Sequence, residues 1–217
     1  MRVLTWNLFH GRAVQARGHS LQPEFTAAIA SWDWDVALLQ EVPPWWPGPL
    51  GRACGASARS ALTSRNWIAP LRWLARIAPD VVKSWGGGSN AILVRGRSIA
   101  EHRVQVLRTR PERRVMHAVR LGDGTWVANI HAQVRPQLAA RSDIARAATA
   151  LLDWAGDAPL LLGGDFNVRD PAATPLRDAG GHGIDRVLVR GLEPAGTETP
   201  ERHGLSDHAP VIVELRP

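Results

Sequence analysis

The stretch Leu160-Leu161-Leu162-Gly163-Gly164-Asp165-Phe166-Asn167-Val168 constrains this chain more than any other. Its leucines form an apolar run of strand length, the run ends in two glycines, and the next turn presents a carboxylate and a carboxamide two residues apart. A buried strand delivers polar chemistry to a sheet edge in this way. If the backbone stays extended, Asp165 and Asn167 at i and i+2 point the same way, so one substrate atom can meet both. Gly, Asp and Asn are also the commonest turn formers, so an ordinary turn is the competing reading and the rest of the chain has to decide.

The arrangement recurs along the sequence. Residues 3–6 alternate like a short strand that stops at Asn7. Pro23 opens a short helix over residues 23–30. Residues 36–40 are a second continuous apolar run, ending at Gln40-Glu41. Gly86-Gly87-Gly88 leads into a strand over 90–94, without the lysine and helix that a P-loop needs. Residues 99–131 read as a β-meander, with a hairpin at Gly122-Asp123-Gly124 and His131 at the end of the last strand. The longest helix is expected over about 136–154, with Leu138, Ile144, Ala148, Leu151 and Leu152 on its apolar face. Arg141, Asp143 and Arg146 are placed on the outer face, and Gly156 stops the helix. A strand over 186–189 follows Asp185, and a last one over 211–215 follows Leu205-Ser206-Asp207-His208-Ala209-Pro210.

One segment breaks the pattern. At about 43–88, Pro43-Pro44-Trp45-Trp46-Pro47-Gly48-Pro49 excludes regular structure, and Arg65, Trp67, Arg72, Trp73, Arg76 and Trp85 follow in what reads as a surface excursion. Trp67, Leu71, Leu74 and Ala78 have helical spacing, so a short amphipathic helix is expected from about Pro70. Packing of that helix on the sheet is favoured over a membrane-surface or DNA-wedging role, an order that an exposed Trp and Arg cluster would reverse.

Composition narrows the function. The 217 residues carry a net charge of +6, nearly all of the basic side being arginine with Lys83 the only lysine. Arginine forks suit phosphate oxygens, although an Ala-, Arg- and Gly-rich chain also fits a GC-rich genome. Cys54 is the only cysteine, so no intrachain disulfide and no cysteine zinc site is expected. No apolar run has the length needed to cross a bilayer and the start of the chain lacks an apolar leader core, so a cytoplasmic location is expected.

Collected, the polar residues at strand ends are Asn7, Glu41, His131, Asp165, Asn167, Asp185, Asp207 and His208. Carboxylates with carboxamides make a hard oxygen site suited to Mg²⁺, and two histidines with a spare aspartate supply proton handling and phosphate contacts. In order along the chain, Thr5-Trp6-Asn7, Leu39-Gln40-Glu41, Ser89-Asn90-Ala91-Ile92-Leu93, Asn129-Ile130-His131, Gly164-Asp165-Phe166-Asn167, Ile184-Asp185 and Ser206-Asp207-His208 resemble the motifs of the endonuclease/exonuclease/phosphatase family, the group with the deoxyribonuclease I-like fold.

The resemblance implies a single α/β domain over residues 1–217, a four-layer α/β/β/α sandwich of two packed mixed β-sheets with helices outside. It makes Glu41 the principal Mg²⁺ ligand, with Asn7 and Asp207 in the metal and phosphate shell and Mn²⁺ a possible substitute. It gives Asp165 the attacking water, Asn167 the positioning of water and phosphate, and His131 the scissile phosphate. His208, oriented by Asp185, becomes a base or a phosphate donor. One departure is Phe9, where family nucleases often carry an acidic or amide residue at a second metal position; His10 compensating for it is one reading, and a surface histidine is the favoured one. The expected function is metal-dependent hydrolysis of nucleic acid by in-line attack of water, DNA favoured, as an endonuclease or exonuclease. The alternative substrate is a small phosphoester such as a lipid headgroup or sugar phosphate, and a binding module without turnover is the third reading. Oligomeric state is left open, a monomer being favoured.

Overall fold

Strands that are apolar on both sides have two faces to bury, and this chain does so by packing two sheets together and covering the outer faces with helices. The computed structural model describes residues 1–64, 66 and 69–217. The first sheet runs β11 (Glu193–Glu198), β12 (Val211–Arg216), β1 (Arg2–Asn7), β2 (Val36–Val42), β4 (Ser89–Arg95), β3 (Ala56–Leu62). The second runs β5 (Ile99–Arg108), β6 (Arg114–Leu121), β7 (Trp126–His131), β8 (Leu160–Asp165), β10 (Asp185–Arg190), β9 (Arg177–His182). Both are mixed. β1 and β2 are parallel and joined through helix α1 (Gln22–Ser31), β7 and β8 are parallel and joined through helix α5 (Gln137–Ala155), and the other neighbours are antiparallel.

Alternation along the strands sorts the core into three layers. Leu4, Trp6, Leu39 and Leu93 pack outward with Phe25 and Ile29 of α1 and with Leu50 of helix α2 (Pro47–Ala53). Met116, Ile130, Leu160 and Leu162 pack outward against Ile144, Ala148 and Leu151 of α5. Val3, Leu38, Val127, Leu161, Val187 and Val213 fill the space between the sheets. This is the four-layer sandwich expected from the sequence.

The middle layer turns polar toward one end. Following every second residue, Val3 leads through Thr5 to Asn7, Val36 through Leu38 to Gln40, Val127 through Asn129 to His131, and Leu161 through Gly163 to Asp165. Below that end, Gln40 Nε2 donates to Asn129 Oδ1 at 2.8 Å, and Asn129 Nδ2 donates to the carbonyls of Leu39 and Ala91 at 2.9 and 2.8 Å, bridging the sheets. Gly163 and Gly164 do not end the strand as the sequence suggests, since β8 continues through Asp165. They are needed for close approach: a Cβ at Gly163 would sit 2.6 Å from Leu38 Cδ1 of the facing sheet, and one at Gly164, where φ is 141°, would sit 2.0 Å from the Ile130 carbonyl oxygen.

Other differences have local causes. The proline-rich stretch from 43 on is partly regular, because Pro47 sits in the first turn of α2, where its missing N–H costs no hydrogen bond. Residues 56–62 form the edge strand β3. Asp143 of α5 faces inward and is fully buried, accepting from Arg108 Nε at 2.7 Å and from the Gln133 backbone N–H at 3.0 Å. Leu138, expected on the apolar face, is largely exposed because it lies in the first turn of α5 beyond the sheet's cover. The expected amphipathic helix is α3 (Ala69–Ile77), followed by α4 (Pro79–Val82) and a short 3₁₀ turn at Lys83–Gly86. Arg65 and Trp67, which the sequence reading adds to that segment, lie outside the described residues.

Candidate active site

The two parallel strand pairs end at the same edge of the sandwich, and the polar residues meet there. In the second sheet His131, Asp165 and Asp185 are in register across three neighbouring strands: His131 pairs with Asp165, and Asp165 with Asp185. In the first sheet Asn7 is in register with Gln40, one residue before Glu41. Glu41 adopts φ 50° where the register of β2 against β4 shifts between Leu39 and Val42, and such a bulge re-aims the carboxylate. Phe9, His10, Asn167 and Ser206 around it also have positive φ, a clustering of strained backbone typical of functional sites.

Asp207 and His208 arrive from the segment before β12, which is pinned to the end of β1. Ser206 Oγ, fully buried, donates to the Asn7 carbonyl at 2.6 Å and accepts from the His208 N–H at 3.1 Å. Trp6 Nε1 donates to the His208 carbonyl at 3.0 Å. The Trp of Thr5-Trp6-Asn7 and the Ser of Ser206-Asp207-His208 thus hold one motif against the other.

At the centre stands Asp165. Its Oδ2 accepts from Asn7 Nδ2 at 3.0 Å and lies 3.5 Å from His131 Nε2 and 3.8 Å from His208 Nε2, while Oδ1 accepts from the Asn167 N–H at 3.0 Å. Asn167 at φ 53° leaves the extended path, so the condition for Asp165 and Asn167 to point alike fails; its Nδ2 donates to the Ala132 carbonyl, and both residues still line the cleft. His208 Nδ1 bonds Asp185 Oδ2 at 2.8 Å. Glu41 lies 3.2 Å from His10 Nε2 and 3.9 Å from His131 Nε2. Seven of the eight predicted residues line one cleft of about 460 Å³, and the eighth, Asp185, stands directly behind His208.

Charge in the cleft is unbalanced. Burial, then the Asp185 charge, pushes Asp165 up to about 7, and burial raises Asp185 and Glu41 as well. Burial works against the His208 imidazolium, but the hydrogen bond and charge of Asp185, with Asp165 and Asp207, outweigh it and carry His208 to about 9. His131 is held well below the usual imidazole range by burial and by Arg114. Carboxylates raised in this way are ones whose charged form burial disfavours, and a bound cation would stabilise that form. Two donor groups could take one. Asp165, Asp185 and His208 offer atoms within 4.8 Å of one another, although His208 Nδ1 and Asp185 Oδ2 already engage each other. Glu41, Asn7 and Asp207 offer oxygens that line the cleft.

The cleft also holds residues that the sequence reading passed over. Arg114 is buried, donating to Glu112 at 2.6 Å and to Gln133 at 3.1 Å, and Arg12 stacks 3.7 Å from the centroid of the Phe9 ring. In a chain so rich in arginine neither has a signal of its own. His10, read as a surface histidine, is instead in the cleft beside Glu41. A histidine three residues after Asn7 and directly before Gly11 was the signal in the sequence.

A sequence profile of the Endonuclease/Exonuclease/phosphatase family matches residues 4–208. The chain belongs to this family. No protein of curated function matches it. Among solved structures, a family member from Beutenbergia cavernae shares 20% identity at a TM-score of 0.73, over 100% of this chain and 71% of that one. A mannosyl-6-phosphatase from Bacteroides thetaiotaomicron shares 17% at 0.69, over 99% of both. A truncated TDP2 from Caenorhabditis elegans shares 15% at 0.69, over 100% and 97%. At such identities the likeness to these structures is one of fold, whereas family membership supports metal-dependent phosphoesterase activity.

Proposed function

We propose that the cleft hydrolyses phosphodiesters with the help of one hard divalent cation, Mg²⁺ or Mn²⁺ in its place. The observation that carries this reading is the row His131, Asp165, Asp185, with His208 held between Asp185 and the cleft, and with Glu41 and Asn7 lining the same cleft. Glu41, Asn7 and Asp207 hold the cation, because Mg²⁺ takes oxygen donors, whereas the Asp165, Asp185 and His208 group includes an imidazole whose Nδ1 is already bonded. When bound, the cation draws charge from the phosphoryl oxygens. Asp165, fixed through both oxygens, orients the water and takes its proton; Asn167 positions water and phosphate. The new P–O bond forms as the ester P–O bond breaks, the leaving oxygen takes up a proton from bulk water, and Asp165 returns the proton it took to solvent. His208, aligned by Asp185, and His131 donate to the phosphate.

Two substrate classes fit this chemistry. Nucleic acid, with DNA cut by an endonuclease or exonuclease working as a cytoplasmic monomer, is supported by the charge of +6 and by Arg12, Arg113 and Arg114 at the cleft. A phosphoester headgroup of a lipid is favoured by the exposed Trp73, Ile77 and Val81 on the segment that reaches the cleft through Ser84, since Ile77 and Val81 give bases no face to stack on. The test is turnover of a labelled panel, comprising single-stranded, duplex and abasic DNA, RNA, and soluble phosphodiesters and phosphomonoesters, with Mg²⁺, Mn²⁺ or chelator. Metal-dependent cleavage that falls at least about a hundredfold in Glu41→Ala and His208→Ala is expected. Folded, metal-loaded protein that leaves every member intact would end the phosphoesterase reading.

A further inference from the structure

The segment of α3, α4 and the turn at Lys83–Gly86 carries exposed apolar side chains and reaches the cleft through Ser84 of the turn. Ala75, Pro79, Val82 and Gly86 are turned inward, and Gly86 packs so closely that a Cβ there would sit 2.4 Å from Ala75 Cβ. Trp73, Ile77, Val81 and Trp85 are each more than half exposed. Trp73 and Ile77, four apart on α3, stand one above the other. Ser84, next to Trp85, lines the cleft, as does the exposed Val134 from the loop after β7.

Cations accompany these side chains: Arg72 and Arg76 on α3 and Lys83 on the turn. The one carboxylate of the segment, Asp80, is turned toward the loop at 17–18, accepting from the N–H groups of Arg17 and Gly18 at 3.0 and 2.8 Å. Tryptophan with aliphatic neighbours, bordered by Arg and Lys, is the composition that settles into the headgroup zone of an anionic bilayer. The same residues suit other occupants less well. Ile77 and Val81 offer bases no stacking surface, and a two-fold contact between copies would gather Arg72, Arg76 and Lys83 of both copies in one interface whose only carboxylate from this segment, Asp80, is turned toward the loop at 17–18.

We infer that this segment docks the protein on an anionic lipid surface, with the cleft it reaches presented to phosphoester headgroups of that surface. The headgroup part rests on the phosphoesterase reading above; the docking part stands on the segment alone.

The test is co-sedimentation of the full chain with phosphatidylcholine vesicles, with and without phosphatidylglycerol, alongside turnover of soluble bis(p-nitrophenyl) phosphate. Binding is expected to require the anionic lipid, to weaken with salt, and to fall at least about tenfold in Trp73→Ser and again in Val81→Ser, with soluble turnover and circular dichroism unchanged. Soluble turnover without vesicle binding, or variants that bind as the parent does, would overturn the docking and leave the phosphoesterase standing. Vesicle binding lost in the variants, with no phosphoester turned over, would uphold the docking and end the phosphoesterase reading. Two further results would overturn it: a dimer that Trp73→Ser dissociates, or single-stranded DNA binding that Trp73→Ser abolishes where vesicles do not bind.

Discussion

His208 is set by a neighbour that never faces the cleft. Asp185 holds its Nδ1, leaving Nε2 toward Asp165, and the carboxylate keeps the imidazolium intact to about 9. Asp185→Asn removes that charge while keeping an acceptor, so the His208 proton should leave near the ordinary imidazole value, by NMR titration. A value that stays near 9 would mean that Asp185 is not the cause. Residues of this kind were readable because each closes an apolar run or a short motif: Asn7, Glu41, His131, Asp165 and Asp185 all stand at strand ends. Arg114 was not, since what makes it special is burial beside Glu112 and Gln133, a property that no neighbour in sequence announces. The direction of Glu41 was equally hidden, because it depends on a bulge against β4 and not on alternation within β2.

At the scale of elements, the strands that escaped the sequence are β3, β9 and β11, and all three are sheet edges. An edge strand buries little, so Ala56–Leu62, Arg177–His182 and Glu193–Glu198 carry small, charged and Gly residues in place of an apolar run. Central strands are buried on both faces and declare themselves. Asp143 misled for the opposite reason: a helical carboxylate reads as solvated, yet the folded protein gives it Arg108 and the Gln133 N–H. The two glycines of β8 were legible as glycines but not in purpose. Gly164→Ala would drive a Cβ into the Ile130 carbonyl at a backbone angle that alanine resists, and should cost about 3 kcal/mol in urea denaturation. A loss below about 1 kcal/mol would show that β7 and β8 can move apart without harm.

Across the whole molecule, the layer between the sheets holds a fully buried His117, bonded through Nδ1 to His102 at 3.1 Å. Burial, then His102, lowers its pKa to about 3. The unfolded chain binds this proton below about pH 6.5 and the folded protein refuses it until about 3, so the contribution of His117 is intact above that range and is lost as pH falls through it. Its slope approaches about 1.4 kcal/mol per pH unit. Asp165 has the opposite sign, since its folded value is raised and acidification from about 7 favours the fold. The comparison of parent with His117→Gln isolates the histidine: the variant should lose less stability between about pH 7 and about pH 5, and equal losses would dismiss the effect. The sandwich has a further consequence. β1, α1 and β2 on one side and β7, α5 and β8 on the other are one construction used twice, and their matching strand ends, Asn7 with Glu41 and His131 with Asp165, face each other across the cleft. The cleft lies between two uses of one construction that divide the labour, oxygen donors on one and imidazole over carboxylate on the other, and Asn7 Nδ2 on Asp165 Oδ2 ties them together, so a change in either half is felt in its twin.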